Sequence, residues 1–135
     1  MDRPLTATSL AEFWGRRWNA AFRDLTHRFL FRPLTPRVGA QWALLIGFAF
    51  SGIVHDVVIS WPAGGGYGGP RVFFLLQSIG ILVERSRVGR SFGLGGGRRG
   101  WLFTMATLLA PVGWLFHRPF VVGVIVPFLE ALGAV

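Results

Sequence analysis

Apolar and polar residues follow one another along residues 9–31 with the period of an amphipathic helix. The apolar arc of a helical wheel holds Leu10, Trp14, Trp18, Ala21, Phe22, Leu25 and Phe29, and the opposite arc holds Glu12, Arg16, Asn19, Arg23 and His27. Ser9 followed by Glu12 is a capping-box pattern that predicts the start of the helix, and Pro33 and Pro36 are predicted to end it. We interpret the segment as a helix lying in the membrane interface; the alternative is a surface helix of a soluble bundle.

Four further stretches are predicted to be apolar helices. Residues 38–54 are 17 positions without a charge, and apolar character resumes after residue 56, so a helix of roughly 20 residues can cross a bilayer core of about 30 Å. Residues 72–83 give only about 18 Å of helix, which is short for crossing the bilayer core. A span here must include flanking residues, tilt little or pack against other protein. Residues 101–116, with a kink candidate at Pro111, and residues 120–135 complete the set. The predicted fold is an all-α integral membrane helical bundle, with one N-terminal interfacial amphipathic helix followed by three or four transmembrane helices.

Glycine and arginine dominate the connections between the apolar stretches. Residues 62–70 form a glycine-rich loop, and residues 84–100 combine five arginines with a second glycine cluster, which predicts a flexible basic loop. If the amphipathic helix and the basic loop share one side of the membrane, that side holds 12 of the 14 arginines. The positive-inside rule then makes it the cytoplasmic side.

Composition supports a membrane protein rather than a soluble one. Hydrophobic residues make up 52% of the 135 positions and charged residues 15%, against about 25% charged residues in typical globular proteins. The net charge of +8 comes entirely from arginine, and these residues flank apolar runs, so we expect membrane lipids and not nucleic acid as partners. The lack of cysteine and lysine excludes disulfides, thiolate nucleophiles and Schiff-base chemistry.

His55 is the first candidate for chemistry, because an ionisable side chain within a membrane helix usually faces an interior or a watery cavity. Ala43, Gly47 and Ser51 precede it at intervals of four residues, so a groove of small residues leads to the imidazole. Such a groove admits either a close-packed helix or a slender apolar ligand. Imidazole, with an unperturbed pKa of about 6.5, suits a general base; the alternative is a histidine that only bonds a neighbouring helix.

Asn19 is the second candidate, with Arg16 and Arg23 beside it on the polar arc. An amide can donate a hydrogen bond to a substrate carbonyl or to a developing oxyanion; the alternative is a solvated polar residue. The neighbouring arginines suit an anionic lipid or the phosphates of a carrier. We expect no metal site, because the histidines and carboxylates are scattered.

The other ionisable groups of interest receive structural interpretations. Asp56 points about 100° away from His55 on the same helix, so it is a poor partner and is predicted to make a helix-end or interhelical contact. His27 and His117 are predicted to be structural as well.

Two motifs carry a resemblance to a known family. SLAEFWGRRWN, over residues 9–19, resembles the FWGRRWN segment of the wax synthase-like branch of the membrane-bound O-acyltransferase family, and SGIVHD, over residues 51–56, resembles the SGxxH segment of that branch. Residues 73–84 and 115–133 are similar to its later and less specific stretches.

The resemblance implies an integral membrane enzyme that moves an acyl group from acyl-CoA to a hydroxyl acceptor, in wax ester synthesis or in O-acetyl transfer. It implies that His55 deprotonates the alcohol, that Asn19 orients the acyl donor or steadies the oxyanion, and that Arg16 and Arg17 lie near the carrier phosphates. Gly47 and Ser51 would contact substrate. No bound cofactor is expected, and acyl-CoA is the co-substrate.

The extent of the chain limits this expectation. Members of the family usually have more membrane helices, so residues 1–135 are expected to be a wax synthase-like domain that forms the C-terminal portion of a longer protein. Three or four short segments hardly enclose both substrates, and further membrane helices from the same or another chain are expected partners. The alternative is a catalytically inactive membrane fragment or interaction subunit.

Overall fold

A computed structural model describes residues 3–134, and every regular element within that range is helical. The predicted all-α fold is therefore confirmed. Three parts matter for the site: the N-terminal segment (residues 9–38), the central helix (Ala40–Ala63) and the companion helix (Gly69–Arg85).

The N-terminal segment begins as predicted but is not one helix. Ser9 Oγ accepts a hydrogen bond from the Glu12 N–H at 2.9 Å and starts the helical turn Leu10–Glu12, which continues as the π-helix Phe13–Arg17. The chain then becomes extended at Trp18 and enters a positive φ of 27° at Asn19. The prediction of a continuous helix over residues 9–31 was wrong, because asparagine tolerates this left-handed backbone and lets the chain turn there.

The second half of the segment runs through both of its prolines. It comprises the helix Ala20–Thr26, the π-helix His27–Phe31 and the helix Arg32–Val38, which ends at Gly39 with φ 89°. The prediction that Pro33 and Pro36 end the helix was wrong. Pro33 lies in the first turn of the helix Arg32–Val38, where a proline is tolerated, and Pro36 lies inside that helix.

The central helix and the companion helix form an antiparallel hairpin around the loop 64–68. The central helix confirms the predicted helix of about 20 residues, with 24 residues and a left-handed end at Gly64. The two helices approach closely at Gly52, where an added Cβ would lie 2.9 Å from the Arg71 Cα. The companion helix includes the predicted stretch 72–83 and continues beyond it at both ends, so the helix is about 26 Å long.

The predicted basic loop over residues 84–100 is partly helical, so that prediction was wrong in part. Ser86 Oγ accepts from the Gly89 N–H at 3.1 Å and caps the short helix Arg87–Ser91, because a hydroxyl there supplies an acceptor for an otherwise unpaired donor. The next helix, Gly97–Leu109, begins before Trp101.

The remaining chain is interrupted where the sequence predicted a kink. Beyond Pro111 the chain forms Val112–Leu115, and after His117 it continues as Arg118–Phe120, the π-helix Val121–Ile125 and Val126–Ala131. The part before His117 and the part after it meet at a bend of 63°. Among the described residues, the central helix alone is long and apolar enough to cross a membrane by itself, and the bent pair adds a second candidate if it counts as one span. The expected three or four spans stay a prediction.

The N-terminal segment is docked onto the companion helix by buried polar groups. Both oxygens of Glu84 accept backbone N–H groups, from Leu10 and Ala11, each at 2.9 Å. Gln77 accepts from the Trp14 indole N–H at 3.3 Å and donates through Nε2 to the Thr107 carbonyl at 2.9 Å.

Glu84→Gln is expected to lower the thermal unfolding midpoint measured by circular dichroism in detergent. A glutamine has one acceptor oxygen, and its amide N–H groups would face a backbone N–H, so the cost is about 1–3 kcal/mol. Glu130→Gln, at an exposed position, is the matched control. Equal midpoints for the two variants would show that the Glu84 carboxylate does not hold the segment.

The hairpin also predicts which loops can be labelled from each side of a membrane. The chain has no cysteine, so Gly65→Cys and Gly95→Cys provide single labelling sites at opposite ends of the hairpin. We expect a membrane-impermeant maleimide to reach the two sites from opposite faces of sealed vesicles. Labelling of both from one face contradicts the assigned spans.

Candidate active site

A cavity of about 380 Å³ lies between the N-terminal segment, the central helix and the companion helix. Its wall includes four of the residues singled out in the sequence: Asn19, Gly47, Ser51 and His55. Phe22 and Phe74 are among the aromatic side chains that line it. The turn at Asn19 and the imidazole therefore border the same cavity, although 36 positions separate them in the chain.

His55 is held in one orientation and one tautomer. Its Nδ1 lies 2.7 Å from the Ser51 carbonyl oxygen, and a carbonyl can only accept, so the neutral ring carries its proton on Nδ1. Nε2 is then an acceptor, and it has no hydrogen-bond partner within residues 3–134. The ring lies 4.4 Å from the Phe74 ring centroid and 5.8 Å from that of Phe22.

Asn19 has a structural task and a spare donor. Its Oδ1 accepts from the Phe22 N–H at 3.1 Å and caps the helix Ala20–Thr26. The Nδ2 amino group has no partner in the described part of the chain. The capped residue, Phe22, is also the one that contacts the His55 ring edge-on, at an interplanar angle of 80°. The turn and the imidazole are thus connected through one aromatic side chain.

The groove of small residues is partly filled. Ala43, Gly47 and Ser51 are buried, and a Cβ added at Gly47 would meet Thr26 Cγ2 at 3.7 Å. One part of the groove therefore receives the returning arm of the N-terminal segment, and the rest borders the cavity.

The cavity wall does not include Arg16 or Arg17. Arg17 pairs with the Glu12 carboxylate, with Nε and Oε1 2.6 Å apart, and donates to the Arg3 carbonyl at 3.2 Å. The Thr8 N–H and the Arg17 guanidinium lower the pKa of Glu12. Arg16 is exposed. Their expected role near carrier phosphates stays a prediction.

Other side chains line the cavity without having been assigned to it from the sequence. Arg23 lines it and donates to the Gly15 carbonyl at 2.7 Å, and Arg85 and His27 lie on the wall as well. The position of Phe22 near Asn19 could have been predicted, because Phe22 follows Asn19 by three residues and lies on the apolar arc of the helical wheel. Phe74 and Arg85 come from another helix, so no local sequence pattern places them there.

Asp56 is fully buried and belongs to a network of polar groups outside the cavity wall. It accepts from Ser60 Oγ at 2.8 Å and from the Gly68 N–H at 3.1 Å, and it pairs with Arg71 Nε at 2.7 Å. These contacts fix the end of the central helix to the loop 64–68 and to the companion helix. The interhelical role predicted for Asp56 is confirmed.

His117 joins the same network from the C-terminal part of the chain. Its Nδ1 accepts from the Phe120 N–H at 3.2 Å, so Nε2 carries the proton and donates to Ser60 Oγ at 2.9 Å. The prediction that His117 is structural is confirmed. Within residues 3–134, no three histidine, aspartate or glutamate side chains come together as a group suited to a metal ion.

Comparison with known proteins shows similarity to proteins named as O-acyltransferases. The chain is 33% identical over 125 residues to a probable long-chain-alcohol O-fatty-acyltransferase 7 of Arabidopsis thaliana, covering 84% of this chain and 37% of that protein. It is 32% identical over 100 residues to the long-chain-alcohol O-fatty-acyltransferase of Simmondsia chinensis, covering 62% of this chain and 26% of the relative. Acyl-CoA--sterol O-acyltransferase 1 of Arabidopsis thaliana is 33% identical over 64 residues, with 42% and 19% covered.

The chain thus spans less than two fifths of the length of each of these relatives. No solved structure matches it. Residues 1–76, which include both Asn19 and His55, match the model of the family described as "Membrane bound O-acyl transferase family". Because that match covers more than half of the 135 residues, the chain belongs to the membrane bound O-acyl transferase family.

Proposed function

We propose that this chain carries the reaction centre of a membrane acyltransferase that moves an acyl group from acyl-CoA to a hydroxyl acceptor. The observation that carries the proposal is the shared cavity: Asn19 and His55, the two residues taken from the family motifs, both line it. The relatives are named for long-chain alcohols and a sterol as acceptors, so a lipid alcohol is the acceptor we propose.

The His55 imidazole acts as the general base in this proposal. Nε2 takes the proton of the acceptor hydroxyl while the alcohol oxygen forms a bond to the thioester carbonyl carbon. The tetrahedral intermediate collapses with cleavage of the C–S bond, and the imidazolium returns its proton to the departing CoA thiolate. Ester and free thiol are the products, and the ring ends neutral. The hydrogen bond from Nδ1–H to the Ser51 carbonyl supports this role because it leaves Nε2 to accept.

Asn19 supplies the donor for the developing oxyanion. Its Nδ2 group can donate to the thioester carbonyl oxygen, while Oδ1 remains engaged with the Phe22 N–H. A preorganised donor of this kind is worth about 10²–10³ in rate. Phe22 and Phe74, which contact the imidazole on two sides, hold the ring in place.

The remaining substrate contacts and the assembly belong to the same proposal. Gly47 and Ser51 contact the substrate portion that enters the cavity, and the exposed Arg16, with Arg17 beside it, meets anionic carrier or lipid groups outside it. A volume of about 380 Å³ lies near the low end of the roughly 300–1,000 Å³ typical of ligand pockets. We propose that further membrane helices, from the same or another chain, enclose the rest of both substrates in a multi-pass assembly of which residues 1–135 are the C-terminal portion.

His55→Gln is expected to reduce acyl transfer by about 10²–10⁴-fold. Glutamine can still donate to the Ser51 carbonyl but cannot take up the alcohol proton. The measurement is ester formation from acyl-CoA and a long-chain alcohol in membranes that contain the whole gene product. Gln41→Ala, an exposed change near the start of the same helix, is the control. Undiminished turnover in His55→Gln removes His55 from the base role.

Asn19→Asp separates the two tasks of Asn19. Aspartate also caps helices and tolerates left-handed backbone, so the unfolding midpoint should change little. It lacks the N–H donor, so acyl transfer should fall by about 10²–10³-fold. Asn19→Ala, which removes the cap too, should in addition lose about 1 kcal/mol of stability. Full activity in Asn19→Asp would leave Asn19 as a helix cap alone.

A further inference from the structure

We propose that one side of the central helix is in direct contact with lipid hydrocarbon, and that two tryptophans mark the edges of the hydrocarbon layer. This side, the lipid-facing stripe, consists of Trp42, Ile46, Phe50, Ile53, Val57 and Trp61. Its members are between 38% and 71% exposed. They recur every three or four residues, so they share one side of the helix.

The length of the stripe matches a bilayer. Trp42 and Trp61 are 19 residues apart, which is about 28 Å along a helix axis, and a bilayer core is about 30 Å thick. They are also the two most exposed members of the stripe, at 63% and 71%. Tryptophan is enriched at both membrane interfaces because its ring is apolar and its N–H is polar. The four residues between them in the stripe carry no polar group.

The size of the side chains indicates lipid rather than another helix. Helix interfaces within membranes are enriched in small residues that let backbones approach. The central helix uses such residues where it does contact protein: Gly52 against the companion helix, and Gly47 against Thr26. The stripe has aromatic and branched side chains instead, which suit loosely packed acyl chains.

The companion helix presents a similar surface. Val72, Leu75, Ile79 and Val83 are 40–50% exposed and are also spaced three or four residues apart. Lipid contact is therefore expected on one side of each helix of the hairpin, while the buried sides hold the cavity and the polar contacts.

The two edges fix the depth of the imidazole. His55 is six residues from Trp61 and thirteen from Trp42, which are about 9 Å and about 20 Å along the axis. The ring thus lies inside the hydrocarbon layer, closer to the side of the loop 64–68.

Spin labelling tests the stripe directly, because the chain has no native cysteine. Phe50→Cys, Ile53→Cys and Val57→Cys, each carrying a nitroxide, are placed in phosphatidylcholine vesicles as part of the whole gene product, with any cysteine outside residues 1–135 replaced. Ala43→Cys, at a fully buried position of the same helix, is the control. Paramagnetic resonance then measures collisions of each label with oxygen, which concentrates in lipid, and with a water-soluble nickel chelate.

We expect the stripe labels to collide with oxygen several-fold more than the Ala43 label, with the highest ratio of oxygen to chelate collisions at Phe50 and Ile53. Low collision rates with both reagents would mean that protein covers the stripe, and dominant chelate collisions would mean that it faces water. Either result overturns the proposal.

A second measurement uses the native side chains and does not depend on the cysteine variants. The emission of Trp42 and of Trp61 is obtained as the fluorescence that disappears in Trp42→Phe and in Trp61→Phe. Lipids brominated near the glycerol end of their chains should quench this emission more than lipids brominated at the chain ends. Equal quenching by the two lipids would overturn the assigned edges.

Discussion

The turn at Asn19 is the constraint on which the candidate site depends. A positive φ of 27° reverses the N-terminal segment, so that one arm descends along the companion helix from Glu84 and the other returns to the start of the central helix. The first arm brings Trp14 to Gln77, and the second brings Phe22 to His55. Without that reversal a single long helix could contact only one of these neighbours, and the cavity would lack its third wall.

The sequence allowed prediction of the elements that depend on local pattern. The central helix follows from its uncharged run, the start at Ser9 from a capping box, and the break near Pro111 from a proline. The turn at Asn19 escaped prediction because the helical periodicity of apolar residues continues across it. Pro33 and Pro36 predict the end of a helix, but Pro33 lies in the first turn of the helix Arg32–Val38 and Pro36 lies inside it.

The residues of the candidate site also fall into those that a local sequence pattern predicts and those that depend on how the helices pack. His55, Gly47 and Ser51 could be proposed together because they lie four residues apart on one helix. Phe74 and Arg85 reach the cavity only through the pairing of two helices, which depends on close approach at Gly52. Arg16 and Arg17, which are close to Asn19 in the sequence, lie outside the cavity wall, whereas Arg23 lines it, a difference that the helical wheel does not contain.

The bonding of Asp56 has a consequence for charge balance during the proposed reaction. Its carboxylate is committed to Ser60, Gly68 and Arg71, and no aspartate or glutamate is among the described residues that line the cavity. A histidine triad would have a fixed anion to compensate the imidazolium. Within the described cavity wall, the charge that can balance the imidazolium is the one that develops on the thioester oxygen, so in the proposed reaction the two opposite charges arise and vanish together. Such a site favours a concerted step, in which proton transfer to the imidazole and carbon–oxygen bond formation occur together.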